Sequence, residues 1–219
     1  FTNFAFRARL RLTEAAVSRA GSPIRLNSQD MITASAKKRE NIAEYLLYMW
    51  QIEDIIRAYG LDIDKIRENL VDRYTDLSPE LRKDMLEWYE SLIDMMRSEG
   101  VAAKGHLQLN RNTLADIEQL HRRLLADPKF ANYATDYYDT LPLIVELRSK
   151  AGENRKDEIE TCFDALYGIL MLKLQKKEIS ADTARAAARI SRFLALLSHY
   201  YKKDYNNELF NDTDPITGK

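Results

Sequence analysis

The segment from residue 37 to residue 57 constrains the fold of this chain more than any other. It reads KKRENIAEYLLYMWQIEDIIR, and its helical periodicity extends from about residue 36 to residue 59, just before Gly60. On a helix its apolar side chains cover one broad face and leave only a narrow polar strip. A helix this apolar requires neighbours on several sides, so the segment predicts the central helix of a bundle.

Composition favours a helical protein of one domain. The chain has 219 residues, of which 45% are hydrophobic and 31% are charged, with only seven glycines and five prolines. This length suffices to bury a core without metals or disulfides, and strong helix formers are abundant. Every apolar run is much shorter than the roughly 20 residues that a bilayer requires. We therefore predict an all-α, single-domain bundle of about six to seven helices with no membrane span.

The first 30 residues differ in charge from the rest. They hold five arginines against Glu14 and Asp30, whereas the net charge of the whole chain is -1. A basic, acid-poor segment is typical of a transit peptide, but it also fits sequence that precedes the native start. We favour the second interpretation because Met31 stands just before the first strong helix. We expect residues 1–30 to lie outside the domain, residues 31–204 to form it, and residues 205–219 to be a flexible polar tail.

Capping signals place the remaining helices. Ser78 and Asp127 each precede a proline, which is the pattern of a helix start. The predicted helices after the first cover about residues 63–74, 79–100, 113–126, 155–177 and 181–204. An aromatic segment opens at Pro128, and because Pro142 removes a backbone donor we expect a break or kink near Thr140 and a fresh helical start through residues 143–147.

The last two predicted helices form an antiparallel hairpin, because the turn between them, capped by Ser180, is very short. Gly168 lies in the middle of the first of these helices. Four alanines crowd the first half of the second, which predicts that the two backbones approach closely there. These alanines are Ala184, Ala186, Ala187 and Ala188.

The sequence carries none of the familiar catalytic motifs. It has no glycine-rich phosphate loop, no nucleophile elbow and no His-Glu-x-x-His helix. Its single cysteine, Cys162, falls among apolar residues of a predicted helix, so we interpret it as a packing residue. One cysteine cannot form a disulfide within the chain, and this favours a reducing cytoplasm.

The nearest approach to a metal motif is Glu118-x-x-His121. Di-iron bundles take one such pair from each of two helices, and here the second pair is missing. His121 falls on an apolar helix face, so we favour a hydrogen-bonded core histidine and predict no metal and no cofactor. Tyr133 and Tyr137, one turn apart, either pack in the core or line a ligand site.

Glu53 projects from the apolar face of the central helix. A buried carboxylate is costly unless it is paired, so the simplest interpretation is an ion pair with Arg57 or with a partner from another helix. The alternative is a polar pocket inside the bundle that contains both Glu53 and His121.

Basic residues recur at helical spacing along the last predicted helix. Such a stripe can hold phosphates or an acidic protein, but it is more often the solvated face of an amphipathic helix, and we expect no nucleic acid. The basic stripe consists of Arg185, Arg189, Arg192, His199 and Lys203.

Three segments, residues 38–51, 87–96 and 170–180, resemble a family of uncharacterised proteins from Bacteroidales-type bacteria. The resemblance extends from Met31 to Asp204. It implies an all-helical, cytoplasmic protein whose family has no assigned activity, so it carries no functional residue over to this chain.

These observations favour a non-enzymatic bundle that acts through protein contacts, either with another protein or as a homodimer. The alternative is a ligand-binding protein or enzyme built around Glu53 and His121. A further alternative is nucleic-acid or acidic-partner binding by the basic stripe.

Overall fold

A computed structural model describes residues 38, 40–151 and 156–210 of the chain, and within these residues it contains seven α-helices and no strand. The all-α, single-domain prediction is confirmed. The predicted leader, residues 1–30, lies outside the described residues. The helices are α1 (Ile42–Ala58), α2 (Ile63–Asn69), α3 (Pro79–Ser98), α4 (Gln108–Ala126), α5 (Ala131–Lys150), α6 (Glu158–Leu174) and α7 (Ala181–Tyr205).

The first helix, α1, is central, as its sequence predicts. Leu46, Ile52 and Ile56 are fully buried, and α1 packs against α4, α6 and α7. Asn41 caps its start by accepting a hydrogen bond from the Glu44 amide at 3.2 Å. None of the described helices is long and apolar enough to cross a bilayer.

The predicted serine caps are confirmed. Ser78 Oγ accepts from the Leu81 amide at the start of α3, and Ser180 Oγ accepts from the Thr183 amide at the start of α7, each at 3.2 Å. The last two helices pack against each other and form the predicted hairpin. Local capping signals therefore located both helix starts.

The fourth helix begins at Gln108, five residues before the predicted start at Thr113. No side chain of α4 caps this end. Instead, Glu53 accepts from the Leu107 amide at 2.9 Å, and Glu99 accepts from the Gln108 amide at 2.6 Å. Helix starts leave amide groups unpaired and favour negative charge, so these carboxylates stabilise the extra turn.

Of the predicted break or kink near Thr140, the break is wrong, because α5 is continuous with Pro142 inside it. Arg189 of α7 donates to the Asp136 carbonyl at 2.8 Å and to Thr140 Oγ1 at 3.1 Å. The Thr140 hydroxyl also donates to that carbonyl, at 2.7 Å. These contacts fix the turn before the proline against α7, so packing outweighs a local cost of about 3 kcal/mol.

The predicted close approach at Gly168 is also wrong. A Cβ atom added to Gly168 would meet nothing within 4 Å, and the residue is exposed. Ala184 and Ala188 are exposed as well. Gly168, Ala184 and Ala188 therefore lie at the surface of the hairpin, and Ala186 and Ala187 are half-buried.

The packed chain continues beyond residue 204, where the prediction placed the start of the tail. Leu209 is buried, and the Phe210 ring packs edge-on against Phe130 with 5.5 Å between ring centroids. The Arg123 guanidinium lies over the Phe210 ring, 3.8 Å from its centre. The remaining tail, residues 211–219, lies outside the described residues.

Candidate functional site

Glu53 occupies the apolar face of α1 and is fully buried there. Its Oε1 accepts hydrogen bonds from the Leu107 amide at 2.9 Å and from Asn110 Nδ2 at 2.7 Å. Its Oε2 lies 2.6 Å from His106 Nδ1. Three polar groups at the start of α4 therefore surround one buried carboxylate, which is the compensation that such a group requires.

Arg57 is a minor partner of Glu53. Its Nη1 lies 4.0 Å from Glu53 Oε2 but 3.0 Å from Asp54 Oδ1. Its Nη2 donates to the carbonyl oxygens of Val101, at 3.1 Å, and of Gly105. Arg57 therefore anchors the loop before α4 to α1. The sequence suggested that Glu53 pairs with Arg57 or with a partner from another helix. The closer contact comes from His106, in the loop before α4.

His106 is the functional candidate that the sequence did not single out. Its ring stacks on Trp50 with 4.3 Å between centroids and 16° between planes, and its side chain is 16% exposed. Its Nε2 has no hydrogen bond to any residue that the structure describes. A histidine whose Nδ1 is held by a carboxylate presents Nε2 in a fixed direction, where it can bind a ligand or take a proton.

Two buried polar atoms near Glu53 also lack a hydrogen-bond partner within the described part of the chain. They are Arg57 Nε and Asn110 Oδ1. A buried atom of this kind costs about 1–3 kcal/mol unless water or a ligand satisfies it. This end of α4 thus combines a fixed carboxylate, an accessible imidazole nitrogen and two unused polar atoms.

His121 lies in a second polar cluster, at the other end of α4. Its Nδ1 is 2.6 Å from the Tyr133 hydroxyl, and the Tyr137 ring packs against it at 4.9 Å between centroids. Burial lowers the pKa of His121 to about 4, because the charged imidazole loses its hydration. Burial raises the pKa of Tyr133 and of Tyr137. His121 is therefore a neutral core histidine, hydrogen-bonded as the sequence suggested.

Tyr137 links this cluster to α6. Its hydroxyl donates to Glu158 Oε2, and Arg148 Nη1 lies 3.3 Å from Glu158 Oε1. The Glu158 carboxylate is thus shared by a phenol and a guanidinium. The structure brings His121, Tyr133 and Tyr137 together, and it adds Glu158, which has no distinguishing pattern in the sequence.

Glu118, the other member of the Glu118-x-x-His121 pair, lies near acidic side chains. Burial, and then the negative charge of Asp157 and Glu160, raises the pKa of Glu118. Among the described residues, no group of three or more histidine, cysteine or acidic side chains is arranged to hold a metal. Glu118 instead faces the acidic start of α6.

Glu53 and His121 do not share a pocket. Glu53 binds the start of α4 as far as Asn110, and His121 lies 11 residues further along the same helix. At 1.5 Å per residue this separation is about 16 Å along the helix axis. The single pocket suggested by the sequence is therefore two separate polar clusters.

The basic stripe on α7 is not a continuous cationic surface. Arg189 is used inside the fold, where it pairs with Asp136 Oδ1 at 3.0 Å and binds Thr140. Arg185 pairs with Asp182, and the exposed Arg192 lies 3.9 Å from Asp136. His199 is exposed and Lys203 half-buried. Aspartates interrupt the stripe, which weakens its attraction for a polyanion.

The longest described stretch without a buried residue is the hairpin tip, which we define as residues 168–189. No residue in this range is buried: burial ends at Tyr167 on α6 and resumes at Ile190 on α7. The hairpin tip nevertheless contains six large apolar residues, all half-buried. They are Ile169, Leu170, Met171, Leu172, Leu174 and Ile179.

Comparison with known proteins identifies the family but not an activity. Residues 31–208 match the model of a domain of unknown function, DUF4924. The chain belongs to this family. Searches of curated proteins and of solved structures returned no significant match. The DUF4924 match covers α1 to α7, so it includes both polar clusters and the hairpin tip.

Proposed function

We propose that this DUF4924 protein acts through protein–protein contacts in the cytoplasm, and that the hairpin tip is its contact surface. The observation that carries the proposal is the absence of any buried residue between Tyr167 and Ile190, although this segment contains six large apolar residues. Apolar surface left open in a folded domain is typical of an interaction site.

The geometry of α6 explains why the hairpin alone cannot cover this surface. Residues 169–172 are four consecutive apolar residues, and consecutive side chains of a helix project about 100° apart. They therefore point to several sides of α6. Leu170 and Met171 pack against the core, whereas Ile169 and Leu172 are not among the described residues that do so. A helix that is apolar all round is normally buried on all sides. The uncovered side requires a partner.

The two clusters support contact rather than catalysis as the main activity. The His121 cluster is closed by Tyr133 and Tyr137 and holds a neutral imidazole. The Glu53 carboxylate is occupied by groups that start α4. Hydrogen bonds within the fold therefore explain why both sets of polar groups are buried.

A photo-crosslinking experiment in native cells tests the proposal. Benzoylphenylalanine would replace the exposed Lys173 in the hairpin tip, and in a control chain it would replace the exposed Glu90 on α3. We expect a discrete protein adduct, with this chain or another, only from position 173, and its loss on Leu172→Glu. Equal adduct formation at both positions, or none at either, would contradict the proposal.

A second candidate function is small-ligand binding or catalysis at the Glu53 end of α4. Its support is the accessible His106 Nε2 beside two buried polar atoms without partners, Arg57 Nε and Asn110 Oδ1. Nitrogen-15 shifts of the His106 ring, followed during titration with phosphate, carboxylate and nucleotide probes, test it. A saturable shift that disappears in His106→Gln supports binding, and unchanged shifts with all probes exclude these ligand classes.

A further inference from the structure

We infer that His106 accepts a phosphoryl group on Nε2, with Glu53 orienting the ring and the loop before α4 binding the phosphoryl oxygens. This inference rests on the second candidate function, ligand binding or catalysis at the Glu53 end of α4, and deepens it. It names the reacting atom and the class of group that is transferred. The hairpin tip takes no part in it.

The hydrogen bonds of Glu53 fix which nitrogen of His106 can react. Glu53 Oε1 already accepts from two donors, the Leu107 amide and Asn110 Nδ2, so the buried side chain acts as a carboxylate acceptor. Its Oε2 lies 2.6 Å from His106 Nδ1, which therefore carries the ring proton and donates it. When the ring is neutral, Nε2 holds the lone pair. A nucleophile whose ring is oriented by a carboxylate is an arrangement that covalent catalysis uses.

The packing of the His106 ring holds Nε2 in place and leaves it accessible. The ring stacks on Trp50, which is 1% exposed, so the ring orientation is fixed from one side by the core. Nε2 makes no hydrogen bond with the described residues, yet it is not one of their buried unpaired atoms. Solvent therefore reaches Nε2, although the side chain as a whole is only 16% exposed.

The transfer step requires only a phosphoryl donor, for which we take an acyl phosphate. The Nε2 lone pair attacks the phosphorus, the bond from phosphorus to the acyl oxygen breaks, and the carboxylate leaves with that electron pair. The imidazole then carries a positive charge, with its proton still on Nδ1. The Glu53 carboxylate, 2.6 Å from Nδ1, stabilises this charge and so favours the transfer.

The loop before His106 supplies hydrogen-bond donors for the phosphoryl oxygens. Arg57 Nη2 binds the carbonyl oxygens of Val101, at 3.1 Å, and of Gly105, so these two peptide units lie side by side. In a trans peptide the N–H points opposite to the carbonyl, so the amides of Ala102 and His106 point away from Arg57. Neither amide donates to an acceptor among the described residues. Neighbouring unpaired amides of this kind form anion-binding loops.

The cations of the same region favour a phosphoryl group over an uncharged acyl group. Lys104 is exposed and forms no ion pair within the described part of the chain. Arg57 lies on the inner side of the loop, is 7% exposed, and has a buried Nε without a described partner, although Asp54 at 3.0 Å offsets part of its charge. A bound phosphoryl group carries about two negative charges and three acceptor oxygens, which suit this set of donors.

The other two histidines of the chain provide internal controls. His199 is exposed and binds no described carboxylate, whereas His121 is buried against Tyr133. If access alone decided the rate, His199 would react before His106. His121 should react only in an unfolded chain. A faster reaction at His106 than at His199 therefore measures activation of the ring rather than its exposure.

The test treats the full chain with phosphoramidate at neutral pH and locates phosphohistidine by mass spectrometry. The protonated nitrogen of phosphoramidate leaves as ammonia, so no further reactant is required. We expect phosphorylation of His106 at least about tenfold faster than that of His199, with His121 unmodified. Glu53→Gln should lower the His106 rate towards the His199 rate. Unmodified His121 in the same sample shows that this variant is folded.

A second variant keeps the test decisive if Glu53→Gln does not fold. Lys104→Ala, at an exposed position, should slow phosphorylation of His106 by about threefold or more. It should leave unchanged the reaction of His106 with diethyl pyrocarbonate, which is a neutral reagent. Lys202→Ala removes an exposed lysine from α7 and is the matched control, which should alter neither rate.

The outcomes separate this inference from the second candidate function. Equal rates at His106 and His199 would overturn the inference. A His106 rate that is unchanged in folded Glu53→Gln or in Lys104→Ala would overturn it as well. Phosphate-dependent shifts of the His106 ring without phosphorylation would overturn it while leaving the second candidate function in place. A ring that neither shifts with any probe nor accepts a phosphoryl group would remove both.

Discussion

Replacing Glu53 with glutamine tests whether this buried carboxylate holds the start of α4. The change keeps the shape of the side chain but removes its charge. Hydrogen bonds to charged groups contribute about 1.5–3 kcal/mol and neutral ones about 0.5–1.5 kcal/mol, so each of the three contacts loses about 1 kcal/mol. Relief of the cost of burying a charge offsets part of this loss. We expect a net destabilisation of about 1–3 kcal/mol.

Glu53→Ala should be more destabilising. It leaves the Leu107 amide and Asn110 Nδ2 buried without an acceptor, and it opens a cavity where the fully buried Glu53 side chain lay. Breaking a buried polar contact from one side costs about 3–5 kcal/mol, and we expect a loss in this range. Glu90→Gln, at an exposed position on α3, serves as the control and should change stability by less than about 0.5 kcal/mol.

Urea unfolding followed by circular dichroism measures these differences, and hydrogen exchange locates them. In Glu53→Gln the amides of residues 107–111 should exchange faster, while amides in the middle of α7 follow the global change in stability. The reasoning is refuted if Glu53→Gln matches Glu90→Gln in stability and if exchange at residues 107–111 is unaltered. That result would mean that Glu99 and helix packing alone fix the start of α4.

The remaining predictions concern other elements. The pKa of His121 falls from 6.5 to about 4 on folding, so the unfolded chain takes up the proton at a higher pH than the folded chain. The free energy of unfolding should therefore fall by about 3 kcal/mol as pH is lowered from 6.5 to 4. Urea titrations at each pH measure this loss, which should be smaller in His121→Gln. Arg189→Ala should lower the free energy of unfolding by about 2 kcal/mol in the same assay. Arg192→Ala, one turn further on and 76% exposed, should lower it by less than about 0.5 kcal/mol. Equal effects would show that Arg189 does not anchor α5. Pro142→Ala should raise the free energy of unfolding by about 1–3 kcal/mol, and with it the melting temperature, because it restores a donor to a continuous helix. A helix that was broken there would gain no stability. Burial raises the pKa of the Cys162 thiol to about 12, so a disulfide reagent at pH 8 should label it only after denaturant is added, and rapid labelling of the native chain would contradict its buried position.

Periodicity and caps determined most of the helical architecture from the sequence alone. The central position of α1 follows from its broad apolar face, and the starts of α3 and α7 follow from Ser78 and Ser180. These signals are local: each depends on residues within a few positions of one another. They could therefore be predicted without knowing where the rest of the chain lies.

The tertiary structure decided the features whose causes lie far apart in sequence. The acceptors that extend α4 to Gln108 come from Glu53 and Glu99, and the contacts that keep α5 continuous through Pro142 come from Arg189. The two carboxylates satisfy amides that local residues leave unpaired, and Arg189 holds the turn before the proline against α7. The sequence near each position indicates the energetic cost of starting α4 at Gln108 or of placing Pro142 inside α5. It does not indicate the distant group that offsets this cost.

The candidate sites divide in the same way. Sequence identified Glu53 and His121 as polar residues on apolar faces, because helical periodicity fixes which way each side chain points. It did not reveal that 11 residues of α4 separate Asn110, a partner of Glu53, from His121, nor that His106 stacks on Trp50. The sequence also could not show that no residue of the hairpin tip is buried. Apolar periodicity indicates that a residue requires burial, whereas the packing of the other helices determines whether the same chain supplies it.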